Sequence, residues 1–102
     1  MENKSLVPGQ LVGSTAGRDA GKLFLVVGVM GDSMIQVADG KGRKIEYPKK
    51  KNVKHLKIYA PVAQDIADRL KEGSKYTDAD IRAALEALTG TYEKNQVSSA
   101  QG

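Results

Sequence analysis

Leu23-Phe24-Leu25-Val26-Val27-Gly28-Val29-Met30, then Gly31-Asp32-Ser33, then Met34-Ile35-Gln36-Val37-Ala38-Asp39-Gly40-Lys41-Gly42: these residues decide the fold. The first run, Lys22–Met30, is too short for a helix and is interrupted by Gly28, which predicts a bent or bulged strand. Gly31-Asp32-Ser33 reads as a turn. Met34–Ala38 alternates, with Ile35 and Val37 on one face. Asp39-Gly40-Lys41-Gly42 holds residues that tolerate positive φ, so it predicts a tight hairpin turn. The strand after it is expected at Arg43–Tyr47, with Ile45 inward, Lys44 and Glu46 outward, and Pro48 as its end.

Working outward, Pro8-Gly9 signals a turn before a short strand at Gln10–Ala16, and a polar loop with two glycines follows at 16–21. Downstream, Val53 and Leu56 lie three apart, which predicts a 3₁₀ turn, and Leu56-Lys57-Ile58 makes a last short strand. Five short strands within so few residues point to a small closed barrel, because closure removes exposed edges. After Tyr59-Ala60-Pro61 the period changes. Val62, Ile66 and Leu70, with Ala63 and Ala67, repeat at helical spacing until Gly73. Thr77 is placed to cap a second helix with Asp78 and Asp80 in its first turn, Ile81, Ala84, Leu85 and Leu88 as its stripe, and Gly90 as its stop. The fold class is therefore mainly β with an α appendage: a barrel at 6–59, a helical hairpin at 61–90 and a disordered tail at 91–102.

The chain has 102 residues, so its core is thin: a unit of this size buries roughly 60–65% of its extended surface. It contains no cysteine, which fits a reducing compartment. Met1-Glu2-Asn3-Lys4 leads into no apolar run of signal-peptide length, and Leu23–Met30 is far shorter than the roughly 20 residues a bilayer needs. No membrane partner is expected, and the expected location is cytoplasmic.

The net charge of +4 is unevenly spread. Residues 1–59 carry +6 and residues 60–102 carry −2. Between 41 and 57 there are eight basic side chains and one acid, Glu46. Such clustering points to a polyanionic partner more than to lysines kept only for solubility.

Enzymatic chemistry finds little support. Ala16-Gly17-Arg18-Asp19-Ala20-Gly21-Lys22 imitates a phosphate loop, but that motif needs Ser or Thr after its lysine and a helix beyond it. Here Leu23 follows, and it opens a strand. His55 is the only histidine, so no convergent metal set exists. Ser14 and Ser33 have no identifiable base, and Asp65 and Asp68 read as a solvated helix face. No enzyme activity and no cofactor are expected.

Val7–Gly13, then Gly17–Lys22 with Leu23–Val29, then Val37-Ala38-Asp39-Gly40 resemble the KOW motif. More closely, they are similar to the large-subunit ribosomal proteins of archaea and eukaryotes called the L-fourteen-e type. Pro48-Lys49-Lys50-Lys51-Asn52 with His55-Leu56 also looks like the end of small bacterial KOW proteins described as RNA-binding. The resemblance covers about residues 6–58; the helical region from Pro61 has no counterpart in the ribosomal family. It implies an SH3-like barrel that binds structured RNA, often ribosomal RNA, through its loops.

The candidate contacts are Arg18, Lys22, Lys41, Arg43, Lys44, Lys49, Lys50, Lys51, Lys54, His55 and Lys57. Gly17 and Gly21 are expected either to bring backbone N–H groups to a phosphate or simply to make the turn. Lys49–Lys51 read as an extended basic stretch tracking a phosphate backbone, or as an edge guarded by lysine. With few aromatics, recognition by shape and backbone is expected, and Tyr47 is at least as fit for the core. The competing expectation is a protein-interaction module that docks a partner of the ribosome or a transcription complex through residues 61–90.

Overall fold

A computed structural model describes the backbone of residues 6–101 and the side chains of residues 6–90. The order is β1 (Gln10–Ser14), η1 (Gly17–Asp19), β2 (Leu23–Val29), β3 (Met34–Ala38), β4 (Lys49–Asn52), η2 (Val53–His55), β5 (Leu56–Val62), α1 (Gln64–Glu72) and α2 (Asp78–Gln101), where η marks a 3₁₀ turn. The chain is thus mainly β with a helical appendage. The tail expected at 91–102 lies outside the residues whose side chains are described.

All pairings are antiparallel, in the order β4-β3-β2-β1-β5. Among the described residues no ladder joins the edge strands β4 and β5, so the sheet is open where the sequence predicts a closed barrel. It is nevertheless curled. Flat, its edges would stand about 19 Å apart at about 4.8 Å per neighbouring pair. The η2 link from Asn52 to Leu56 spans only about 8 Å at about 2 Å per residue, so the edges must approach at that end. Register shifts between Val26 and Gly28 and between Gln10 and Val12 allow the bend.

Alternation along the strands divides the core in two. Val12, Phe24, Val26, Ile35, Val37 and Leu56 fill the inner face of the curl. Leu11 and Leu25 point the other way, where Ala63, Ile66 and Ile81 cover them. Leu70, Leu85 and Leu88 join the same cluster, so the whole expected docking stripe packs within the chain. The two helices are fastened by Arg69, which reaches Asp80 on α2 at 2.9 Å and Asp65 on its own helix at 3.4 Å.

Three boundaries differ from expectation. The fourth strand is Lys49–Asn52, not Arg43–Tyr47, and it pairs Val37 with Lys49 and Ile35 with Lys51. The reason is local competition for backbone donors. Asp39 Oδ1 accepts from the N–H groups of Lys41 and Arg43, both at 2.9 Å, and Asp78 Oδ1 accepts from Ile45 N–H at 2.8 Å. Residues 39–48 therefore form a long loop pinned to α2, with Ile45 packed on the helix side. Pro61 and Val62 belong to edge strand β5, and α1 begins only at Gln64. Gly73 ends α1 as expected, with φ +75 and its N–H on the carbonyls of Arg69 and Leu70. Gly90 does not adopt that left-handed geometry, and α2 passes through it.

Candidate nucleic-acid interface

The 15–22 loop lies against β4 and η2, and this contact joins segments that carry six of the eleven predicted residues. Thr15 N–H donates to His55 O at 2.9 Å, and Lys51 Nζ donates to Ala16 O at 3.3 Å. Asp19 on η1 meets Lys49 Nζ at 2.5 Å and Lys22 Nζ at 3.9 Å. Arg18, Lys22, Lys49, Lys51, Lys54 and His55 thus sit on segments held in direct contact. Arg18, Lys22, Lys54 and His55 are exposed.

Asp19 is the acid at the centre of this cluster. Its side chain is only 13% exposed. Its Oδ2 is shut off from water without a well-oriented hydrogen bond, and the Lys49 ammonium compensates it. The close Lys49 holds the carboxyl below the ordinary carboxylate range, outweighing partial burial, which pushes it up; Lys22 and Lys51 add smaller effects in the same direction as Lys49. Lys49 is therefore already paired.

Of the two roles open to Gly21, its own N–H takes the turn-making one. It donates to Ser14 O at 2.8 Å, while Ala20 N–H donates to Gly17 O and Lys22 N–H to Asp19 O. These donors hold the loop together.

The remaining basic residues lie elsewhere. Lys41, Arg43 and Lys44 are exposed on the long loop beside α2, where Arg82 donates to Gly40 O at 2.6 Å. Lys50 is exposed and, by alternation, faces opposite to Lys49 and Lys51. Lys57 stands 5.5 Å from the centre of the Tyr59 ring, on the face away from Leu56 and Ile58. Of the eleven residues, six lie on the segments that meet at the seam where the 15–22 loop packs against β4 and η2, and three lie on the long loop.

Sequence reasoning misses the pairing made by Asp19 and leaves Tyr47 open between core and surface. Asp19 is legible as an acid between Arg18 and Lys22, but its reach across to β4 depends on the curl. Tyr47 reads from the sequence as fit for the core, yet it is 77% exposed at the end of the long loop. Among the described residues, no helix is long and apolar enough to cross a membrane, and no group of His, Cys, Asp or Glu is placed to hold a metal ion.

No family model matches the chain. It is 33% identical over 72 residues to YbzG of Bacillus subtilis (strain 168), which is named as a proposed ribosome-binding protein. The match covers 67% of this chain and 97% of YbzG.

Proposed function

We propose that this chain, which belongs to the family of the Bacillus subtilis protein YbzG, is a cytoplasmic, non-enzymatic protein that binds the ribosome through structured RNA. One observation supports the proposal most directly: Arg18, Lys22, Lys51, Lys54 and His55 lie on segments that meet where the 15–22 loop packs against β4 and η2. The curled sheet with a 3₁₀ link between its last strands supports an SH3-like, KOW-type identity for residues 6–59.

The mechanism follows from charge and geometry. Flexible lysines and an arginine at the seam neutralise phosphates and release counterions, and Lys41, Arg43 and Lys44 extend the positive field along the long loop. Phosphate contacts of this kind fix position on a folded RNA without reading its sequence. Docking a protein through residues 61–90 is the weaker alternative, since its apolar stripe is already packed on the sheet.

Co-sedimentation of the purified chain with ribosomal subunits over a range of salt tests the proposal. Neutralising four to six phosphates gives a slope of log K against log salt of about −3 to −5. Binding that ignores salt, or no binding at low salt, refutes it. Replacing Arg18, Lys22 and Lys54 together should flatten the slope by roughly two to three units.

A further inference from the structure

Tyr47 is the most exposed large hydrophobic side chain among the described residues, at 77% exposure. Single exposed apolar groups are ordinary, so exposure alone means little. Its setting is less ordinary. The backbone around it is fixed: Tyr47 N–H donates to Lys44 O at 3.0 Å, closing a turn. Two residues earlier, Ile45 is anchored by Asp78 and by packing on the helices. Immediately after, Pro48 restricts the chain before it enters β4. An aromatic ring is thus presented on a short segment secured at both ends.

The charge around the ring is positive. Within residues 41–51 six basic side chains accompany a single acid, Glu46, and Arg43, Lys44 and Lys50 are exposed. A ring flanked by cations is suited to a flat group joined to phosphates. We infer that Tyr47 is a stacking platform for one unpaired nucleobase of the bound RNA, with Lys44 and Arg43 on the neighbouring phosphates. This rests on the RNA-binding proposal and narrows it: the preferred partner is a helix interrupted by a bulge or loop, not a continuous duplex.

The chain has no tryptophan, so Tyr47→Trp introduces a single indole fluorophore at the site. The probes are a two-stranded RNA duplex carrying one bulged adenosine and a fully paired, loop-free duplex with the same number of phosphates. The expected result is quenching of the Tyr47→Trp variant's indole emission by the bulged duplex only. Tyr47→Ala weakens binding of the bulged RNA about 5- to 150-fold, the range for one stacked base, leaves the paired RNA unaffected and keeps the salt slope. Tyr47→Phe binds like the wild type. Salt-dependent binding of both RNAs with no quenching and no effect of Tyr47→Ala overturns the stacking platform and leaves RNA binding intact. Failure of the wild type to bind either RNA overturns both. Circular dichroism of Tyr47→Ala reports the fold, which an exposed ring should not alter.

Discussion

Replacing Asp19 by Asn removes the negative charge at the centre of the seam and keeps the shape of the side chain. The loop should survive, because its backbone is held by Ser14 N–H to Lys22 O at 2.9 Å and Gly21 N–H to Ser14 O at 2.8 Å, neither of which uses the carboxylate. Lys49, 30% exposed at the side chain, becomes available to a phosphate. One more neutralised phosphate steepens the salt slope by about 0.7 to 0.9, which amounts to roughly five- to eightfold tighter RNA binding at about 0.1 M salt. The cost to the fold is about 1–2 kcal/mol, between that of an exposed pair and a fully buried one. Because Lys49 depresses the wild-type carboxyl, its stabilisation is complete above the unfolded value of about 3.9 and is lost as pH falls through the lower folded value. Asp19→Asn should therefore also flatten the acid arm of the stability profile. Affinity measured by anisotropy across salt, with urea melts at pH 7 and below 4, decides the matter. An unchanged slope, or weaker binding by a folded variant, means that Asp19 organises the cations instead of competing with RNA for them.

Other expectations concern the fold that supports the site. Ile66→Ala and Ile81→Ala each remove a fully buried side chain at the sheet–helix contact and should cost about 2–5 kcal/mol in urea unfolding. For the same reason truncation after Tyr59 should abolish the cooperative transition; a stable truncated sheet would show that the helices are not needed for its core. Gly40→Ala places a side chain at φ +77, with its Cβ 2.5 Å from Asp78 O and 2.8 Å from Arg82 Cγ. It should cost about 2–4 kcal/mol and loosen the loop carrying Lys41, Arg43 and Lys44, which a urea melt and a flatter salt slope would report. Thr77→Ala removes the hydroxyl that accepts from Asp80 N–H at 3.1 Å at the start of α2, a loss of about 1 kcal/mol in the thermal melt.

The strands that depend on local pattern are legible in the sequence. Met34–Ala38 is found where alternation puts it, and the apolar run through Gly28 forms a strand with a register shift at that glycine. Gly73 stops α1 because only its own geometry is required. The failures involve residues distant in sequence. Arg43–Tyr47 has strand-like alternation, but Asp78, thirty-three residues away, takes the Ile45 N–H that such a strand would share with β3. Lys49–Asn52 has no apolar alternation, yet it pairs with β3 because one face meets Ile35 and Val37 and the other meets solvent. For the site, the types of residue are readable from composition, whereas their division into a seam and a loop follows from the path of 39–48 over α2. Gly21 is legible as a turn residue, but not the carbonyl, Ser14 O, that takes its N–H.

The open sheet and the basic seam are connected. Without a β4–β5 ladder, the curl is fastened along β4 by loop contacts, and those contacts use Lys49 and Lys51. The two expectations for Lys49–Lys51, edge protection and phosphate contact, therefore fall on different side chains of one strand. Lys49 and Lys51 turn inward and fasten the loop, while Lys50 points outward and makes no side-chain hydrogen bond or ion pair among the described residues. If the seam binds RNA, its affinity depends on how firmly Asp19 and Ala16 hold the two inward lysines. Phosphate must then take Lys49 from Asp19 or bind around the pair through Arg18, Lys22 and Lys54, and the salt slope of Asp19→Asn distinguishes these two modes.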